Sequence, residues 1–186
     1  MDADIKKMRI KQLLFLNGSF VILMALFFSI PFLITIQFST LFLILGFVIL
    51  IQAVVVLWKG DSTKAIIPLF EEVAIYEKRK MGREWLKRKR SEAIWQLFVS
   101  AFMFLQYYLS RDLGNFVHWD LTFITIVAIV ALILFNTGFI MHFRKIDQTI
   151  NESDLEGYTW KSSLLSGSIG LVVGGLLFVV VLFYII

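Results

Sequence analysis

The chain contains no cysteine, only two histidines and only two prolines in 186 residues. Without cysteine there is no disulfide, no thiolate nucleophile, no Fe–S cluster and no cysteine-ligated zinc. With His118 and His142 as the only imidazoles, a metal site would depend on carboxylates for most of its ligands. No P-loop, dinucleotide fingerprint, H-E-x-x-H or G-x-S-x-G occurs. No metal and no cofactor are therefore expected. A further absence concerns charge. Asp, Glu, Lys and Arg are missing from five long apolar stretches, 13–36, 41–58, 93–109, 121–143 and 164–186.

What is present is apolar surface. Hydrophobic residues make up 59% of the chain and the mean hydropathy is +0.81, whereas soluble domains hold about 45–50% apolar residues. A bilayer accommodates the excess, because the outside of the fold is then apolar too. A membrane-crossing helix needs roughly 20 mostly apolar residues, and the five stretches meet that length. The reading is an all-α polytopic bundle forming one membrane domain over 1–186. The first stretch is too long for a secretory h-region and no A-x-A-like site follows it, so it reads as a retained helix. No lipidation motif is visible.

Positive residues near helix ends stay cytoplasmic. Seventeen of the eighteen Lys and Arg fall before the first stretch, in 59–92 or in 144–161, and only Arg111 falls elsewhere. Five spans put those three regions on one side, with the N-terminus inside and the C-terminus outside. Trp58, Trp95, Trp119 and Trp160 stand at the span boundaries, as expected of a residue that favours the headgroup level. The expected location is the plasma membrane, multi-pass, in a bacterium. The short link 37–40 predicts that the first two spans form a tight antiparallel hairpin, and Pro31 predicts a kink in the first.

The segment 59–92 is the only one long enough for structure of its own. Ile66, Leu69, Phe70, Val73 and Tyr76 recur at helical spacing. Gly82 predicts a break, and one helix is expected over 83–108, basic at its start and apolar at its end. The run Lys87-Arg88-Lys89-Arg90 suits contact with anionic lipid or a partner, at about 1 kcal/mol per basic residue near an anionic leaflet. The plainer reading is positive-inside topology with an interfacial helix. No nucleic-acid-binding motif accompanies it, so nucleic acid is not an expected partner. The link 144–161 is locally acidic through Asp147, Glu152, Asp154 and Glu156, which suits pairing with the basic segment.

Four features carry candidate chemistry. Glu71-Glu72 is the only carboxylate pair that would suit a membrane-embedded hydrolase, which needs such a pair in a dry pocket. His142 beside Arg144 reads as an interfacial histidine. Asn17, Gln52, Gln106 and Asn136 are amides within spans, either bonding between helices or lining a path; ion-coupled transport usually adds an ionisable residue there. The most specific signal is Ser166, Gly170 and Gly174, four apart on one face of the last span. Small residues let helices approach closely, so this strip marks a packing surface, inside the bundle or against another subunit. The functional expectation is a non-enzymatic accessory, regulatory or immunity-type membrane protein acting by helix–helix contact with a membrane partner or a second copy. The alternatives are a small transporter or permease subunit and, after it, the glutamate-dependent hydrolase.

Overall fold

The computed structural model describes residues 3–112 and 120–185, with the side chains of 3, 31–32, 123, 171 and 173–185 outside the description. His118 and Trp119 therefore lie outside the described residues. The protein is all-helical: α1 (Ala3–Leu33), α2 (Phe38–Lys59), α3 (Pro68–Met81), α4 (Arg83–Ser110), α5 (Leu121–Gln148) and α6 (Tyr158–Ile185), with a 3-10 turn at Glu152–Leu155. No strand occurs among the described residues. Helices α1, α2, α4 and α5 are each long and apolar enough to cross a membrane.

Local signals explain the boundaries. Helix α1 runs through Pro31 and ends at Leu33, short of the expected residue 36, the Ile34 N–H closing its last turn on the Ile30 carbonyl at 2.9 Å. Gln37, in extended conformation, then precedes α2, so the connection is 34–37. Pro68 opens α3 at its first position, where a missing N–H costs nothing. Ile66, expected on the apolar stripe of this helix, precedes it and is 96% exposed. Gly82 separates α3 from α4 at φ +52°, a conformation that side-chain-bearing residues adopt reluctantly; a Cβ there would also run into the Glu152 carboxylate. Beyond it α4 runs unbroken through the expected 83–108.

The expected hairpin of the first two spans is not what the helices form. Helix α2 packs chiefly on α4, and α1 on α5 and α3. The reason lies in the small residues of α2 and α4. Ala53 and Ala93 are fully buried, Ser100 Oγ donates to the Gly46 carbonyl at 2.9 Å, and a Cβ at Gly46 would come within 3.0 Å of the Phe104 ring. Close backbone approach through such residues is how membrane helices gain contact. Between α1 and α5 the link is polar and aromatic. The Asn17 and Asn136 amides bond reciprocally at 2.8 Å, and Phe20 stacks on Phe135 at 5.2 Å.

At one end of the bundle the helices close over a small core of Met81, Trp85, Ile146 and Leu155, with Tyr76 and Tyr158 packed against it. Trp85, the tryptophan that fell at no span boundary, is a core residue here. Helix α6 is tied in at this end. The Glu84 carboxylate accepts the Thr159 N–H at 3.2 Å, Thr159 Oγ1 donates to the Glu84 carbonyl at 3.2 Å, and Ser91 and Ser163 share a 2.8 Å bond. A carboxylate at the first turn of α6 satisfies one of its free amides and suits its dipole.

Candidate functional site

Beneath the polar end lies a buried ionic network. Arg9, 5% exposed, meets Glu77 of α3 at 2.8 Å and Asp147 of α5 at 3.0 Å. It also donates to Gln12 at 3.0 Å, and its guanidinium lies 4.3 Å from the centre of the Phe143 ring. A planar fork of donors can serve two carboxylates and stack on a ring at once, which a lysine cannot. Burial, with Asp147 beside it, pushes the Tyr76 phenol up to about 12; Tyr76 is a neutral wall of this network. Glu77 extends the network to α4, with Arg88 at 3.7 Å. Arg88 contacts His142, and His142 Nδ1 is 2.8 Å from the Tyr158 hydroxyl of α6. One chain of polar contacts thus joins α1, α3, α4, α5 and α6.

The network roofs an open groove of about 740 Å³ between α4, α5 and α6. Each helix contributes residues spaced by four: Arg88, Glu92 and Gln96 from α4, Leu134, Gly138 and His142 from α5, and Ser162, Ser166 and Gly170 from α6. That spacing stacks side chains along one face of a helix. Polar groups gather at the roofed end, while Val99, Phe135 and Phe139 line the deeper part. The Gln96 amide oxygen is buried without a hydrogen-bond partner. The groove has the size of a small-molecule site, with one side open.

Two of the three residues of the strip expected on the last span fall on the groove. Ser166 and Gly170 line the groove, and a Cβ at Gly170 would meet nothing within 4 Å among the described residues. Gly167, next to Ser166, lines the groove as well, against Trp95, whose ring lies 3.4 Å from a Cβ built there. Gly174 belongs to α6, but its surroundings lie outside the described residues. The basic run divides too. Lys87, bonded to Glu84 at 2.7 Å, is 63% exposed along its side chain, and Arg90 is exposed. Arg88 turns inward to the network. Lys89 donates to the carbonyls of Gly60 and Ser62 and lies 4.4 Å from the centre of the Trp85 ring. Only Lys87 and Arg90 of the four face outward.

The acidic link meets the basic segment through backbone groups rather than by the expected charge pairing: the Glu152 carboxylate accepts the Arg83 backbone N–H and Lys80 donates to the Thr149 carbonyl, while the ion pair of Asp147 is with Arg9 of α1. Glu71 and Glu72 enter none of these contacts. The four amides do not converge: Asn17 and Asn136 satisfy one another across α1 and α5, Gln52 is exposed on α2, and Gln106 stands on α4 away from the Asn pair, only its backbone carbonyl accepting from Ser110. Sequence reasoning missed Arg9, Glu77 and Tyr158. A single arginine in a basic tail carries no mark that separates it from a topology signal. Among the described residues no cluster of His and carboxylates fit to hold a metal ion is found. Compared with protein families, with characterised proteins and with solved structures, the chain matches none.

Proposed function

We propose that the protein is a membrane accessory or regulatory component, of the kind that includes immunity proteins, and that it works by receiving a helix of a membrane partner against the α6 wall of the groove. The observation that carries this reading is the uncovered small-residue wall. Ser166 and Gly170 line an open groove, and no part of the described chain fills the space above Gly170. Small faces of this kind gain most from close backbone contact. A second copy of the chain is the alternative occupant.

The same proposal takes the chain as crossing the plasma membrane five times, α6 being the fifth span, with the N-terminus in the bacterial cytoplasm. The distribution of Lys and Arg supports this orientation. The ionic network and the core around Trp85 are then a cytoplasmic cap over the bundle, with Lys87 and Arg90 at the anionic leaflet. The alternatives draw less support. A permease needs its buried amides on one path, and they are dispersed. A hydrolase needs Glu71 and Glu72 in a dry pocket, and Glu72 is exposed.

Gentle detergent extraction at native expression, followed by crosslinking and mass spectrometry, tests the reading. A stoichiometric membrane partner, or a second copy, crosslinked to α6 is expected. Recovery of a solitary monomer would overturn it. A reporter fused after Ile186 tests the orientation, since it should work only if its chemistry operates outside the cytoplasm.

A further inference from the structure

We infer that the groove between α4, α5 and α6 binds one ammonium-bearing phospholipid, its phosphate at Arg88, its ammonium at Glu92 and an acyl chain along Gly170. This goes beyond the partner-docking reading and does not require it: the lipid is the groove's occupant when no partner helix lies there.

The groove is graded as an amphiphile is graded. Its roofed end is polar and its deeper walls are apolar, and two of its three helices, α4 and α5, are long and apolar enough to cross a membrane. The charges at the roofed end come as a pair of opposite sign. Arg88 Nε meets Glu92 at 2.7 Å and its Nη1 contacts His142, while its Nη2 enters no hydrogen bond among the described residues. That free donor, on a guanidinium that lines the groove together with Ser162 and Ser163, suits a phosphate. Glu92 is 52% exposed along its side chain, so its carboxylate has room for a second cation, and an ammonium brings three donors. An anionic headgroup without an ammonium would leave Glu92 facing a like charge.

One turn deeper, the oxygen of Gln96 is buried and out of reach. Gln96 lines the groove at this level, the depth where a phospholipid carries its ester carbonyls. Below it no described atom lies within 4 Å of a Cβ placed at Gly170. A groove of about 740 Å³ is within the range of ligand sites, about 300–1,000 Å³.

The test is native mass spectrometry of the full-length protein, released from nanodiscs made with equal phosphatidylethanolamine and phosphatidylglycerol. One bound phospholipid is expected, the ethanolamine lipid favoured about fivefold, the discrimination one half-exposed ion pair supplies. Glu92→Gln should keep a bound lipid and lose the preference. Gly170→Leu should lose most of the lipid while keeping the wild-type helical circular dichroism. No retained lipid, equal or greater retention of the glycerol lipid, an unchanged preference in Glu92→Gln, or full occupancy in folded Gly170→Leu would each overturn the inference. The protein is isolated in this experiment, so a missing partner in cells does not affect its outcome.

Discussion

Replacing Arg9 by Met should be the most damaging single change at the polar end of the bundle. Arg9, Glu77 and Asp147 have side chains 5%, 11% and 3% exposed. Removing the cation leaves two carboxylates in a site from which water is largely excluded. Breaking a buried pair from one side costs about 3–5 kcal/mol. Arg88 stays 3.7 Å from Glu77 and compensates it in part, so the lower end of that range applies, about 3 kcal/mol. For a chain of this size each kcal/mol moves the unfolding midpoint by about 2–4 °C, which makes the expected loss roughly 10 °C. Tryptophan fluorescence during heating in mild detergent reads it, with buried Trp85 close to the network. The triple variant Arg9→Met, Glu77→Gln, Asp147→Asn removes the stranded charge and should recover more than half of the loss. A drop below about 1 kcal/mol in the single variant, or a triple variant less stable than the single, would refute the view that these charges depend on one another.

Three further outcomes follow from the same contacts. Gly46→Leu should destabilise the bundle, because its Cβ would crowd the Phe104 ring, whereas Gly170→Leu should leave the unfolding midpoint unchanged; a thermal scan of the two side by side checks this. Asn17→Leu should cost about 0.6–1.7 kcal/mol, and pairing it with Asn136→Leu should restore most of that, as read from a double-mutant cycle. Tyr76 should remain un-ionised well above pH 10 in an ultraviolet titration, since its phenol lies near 12 when folded. The unfolded phenol loses its proton first, near 10, so stability falls as pH rises from about 10 to about 12, and Tyr76→Phe should remove that part of the fall.

The helical architecture was legible because apolar length is a property of a segment by itself. Long uncharged stretches mark helices α1, α2, α4 and α5, and Gly82 marks the break after α3, whereas the start of α3 at Pro68 was not foreseen, since the spacing placed Ile66 on that helix. Pairing was not legible in the same way. A short link made α1 and α2 look like a hairpin, yet Gly46, Ala53, Ala93 and Ser100 bring α2 and α4 together. Small residues announce close approach without naming the neighbour. The Ser166 and Gly170 strip was visible from its spacing. That it lines an open groove was not, since nothing in α6 records what the other helices leave empty. Charge misled in the other direction. The basic tail and basic run read as solvated, topology-setting positives, but Arg9 and Arg88 turn inward, because Glu77, Asp147 and His142 on distant segments offer buried partners.

The docking role of the groove is tested most directly by photo-crosslinking in native membranes, with a photoreactive residue placed in turn at Gly170, at Ser166 and at Ile51, which is exposed on α2. Crosslinks from Gly170 and Ser166 to a discrete membrane protein, absent at Ile51, are predicted. Crosslinks at all three positions alike, or at Ile51 alone, would contradict a partner helix seated on the α6 wall.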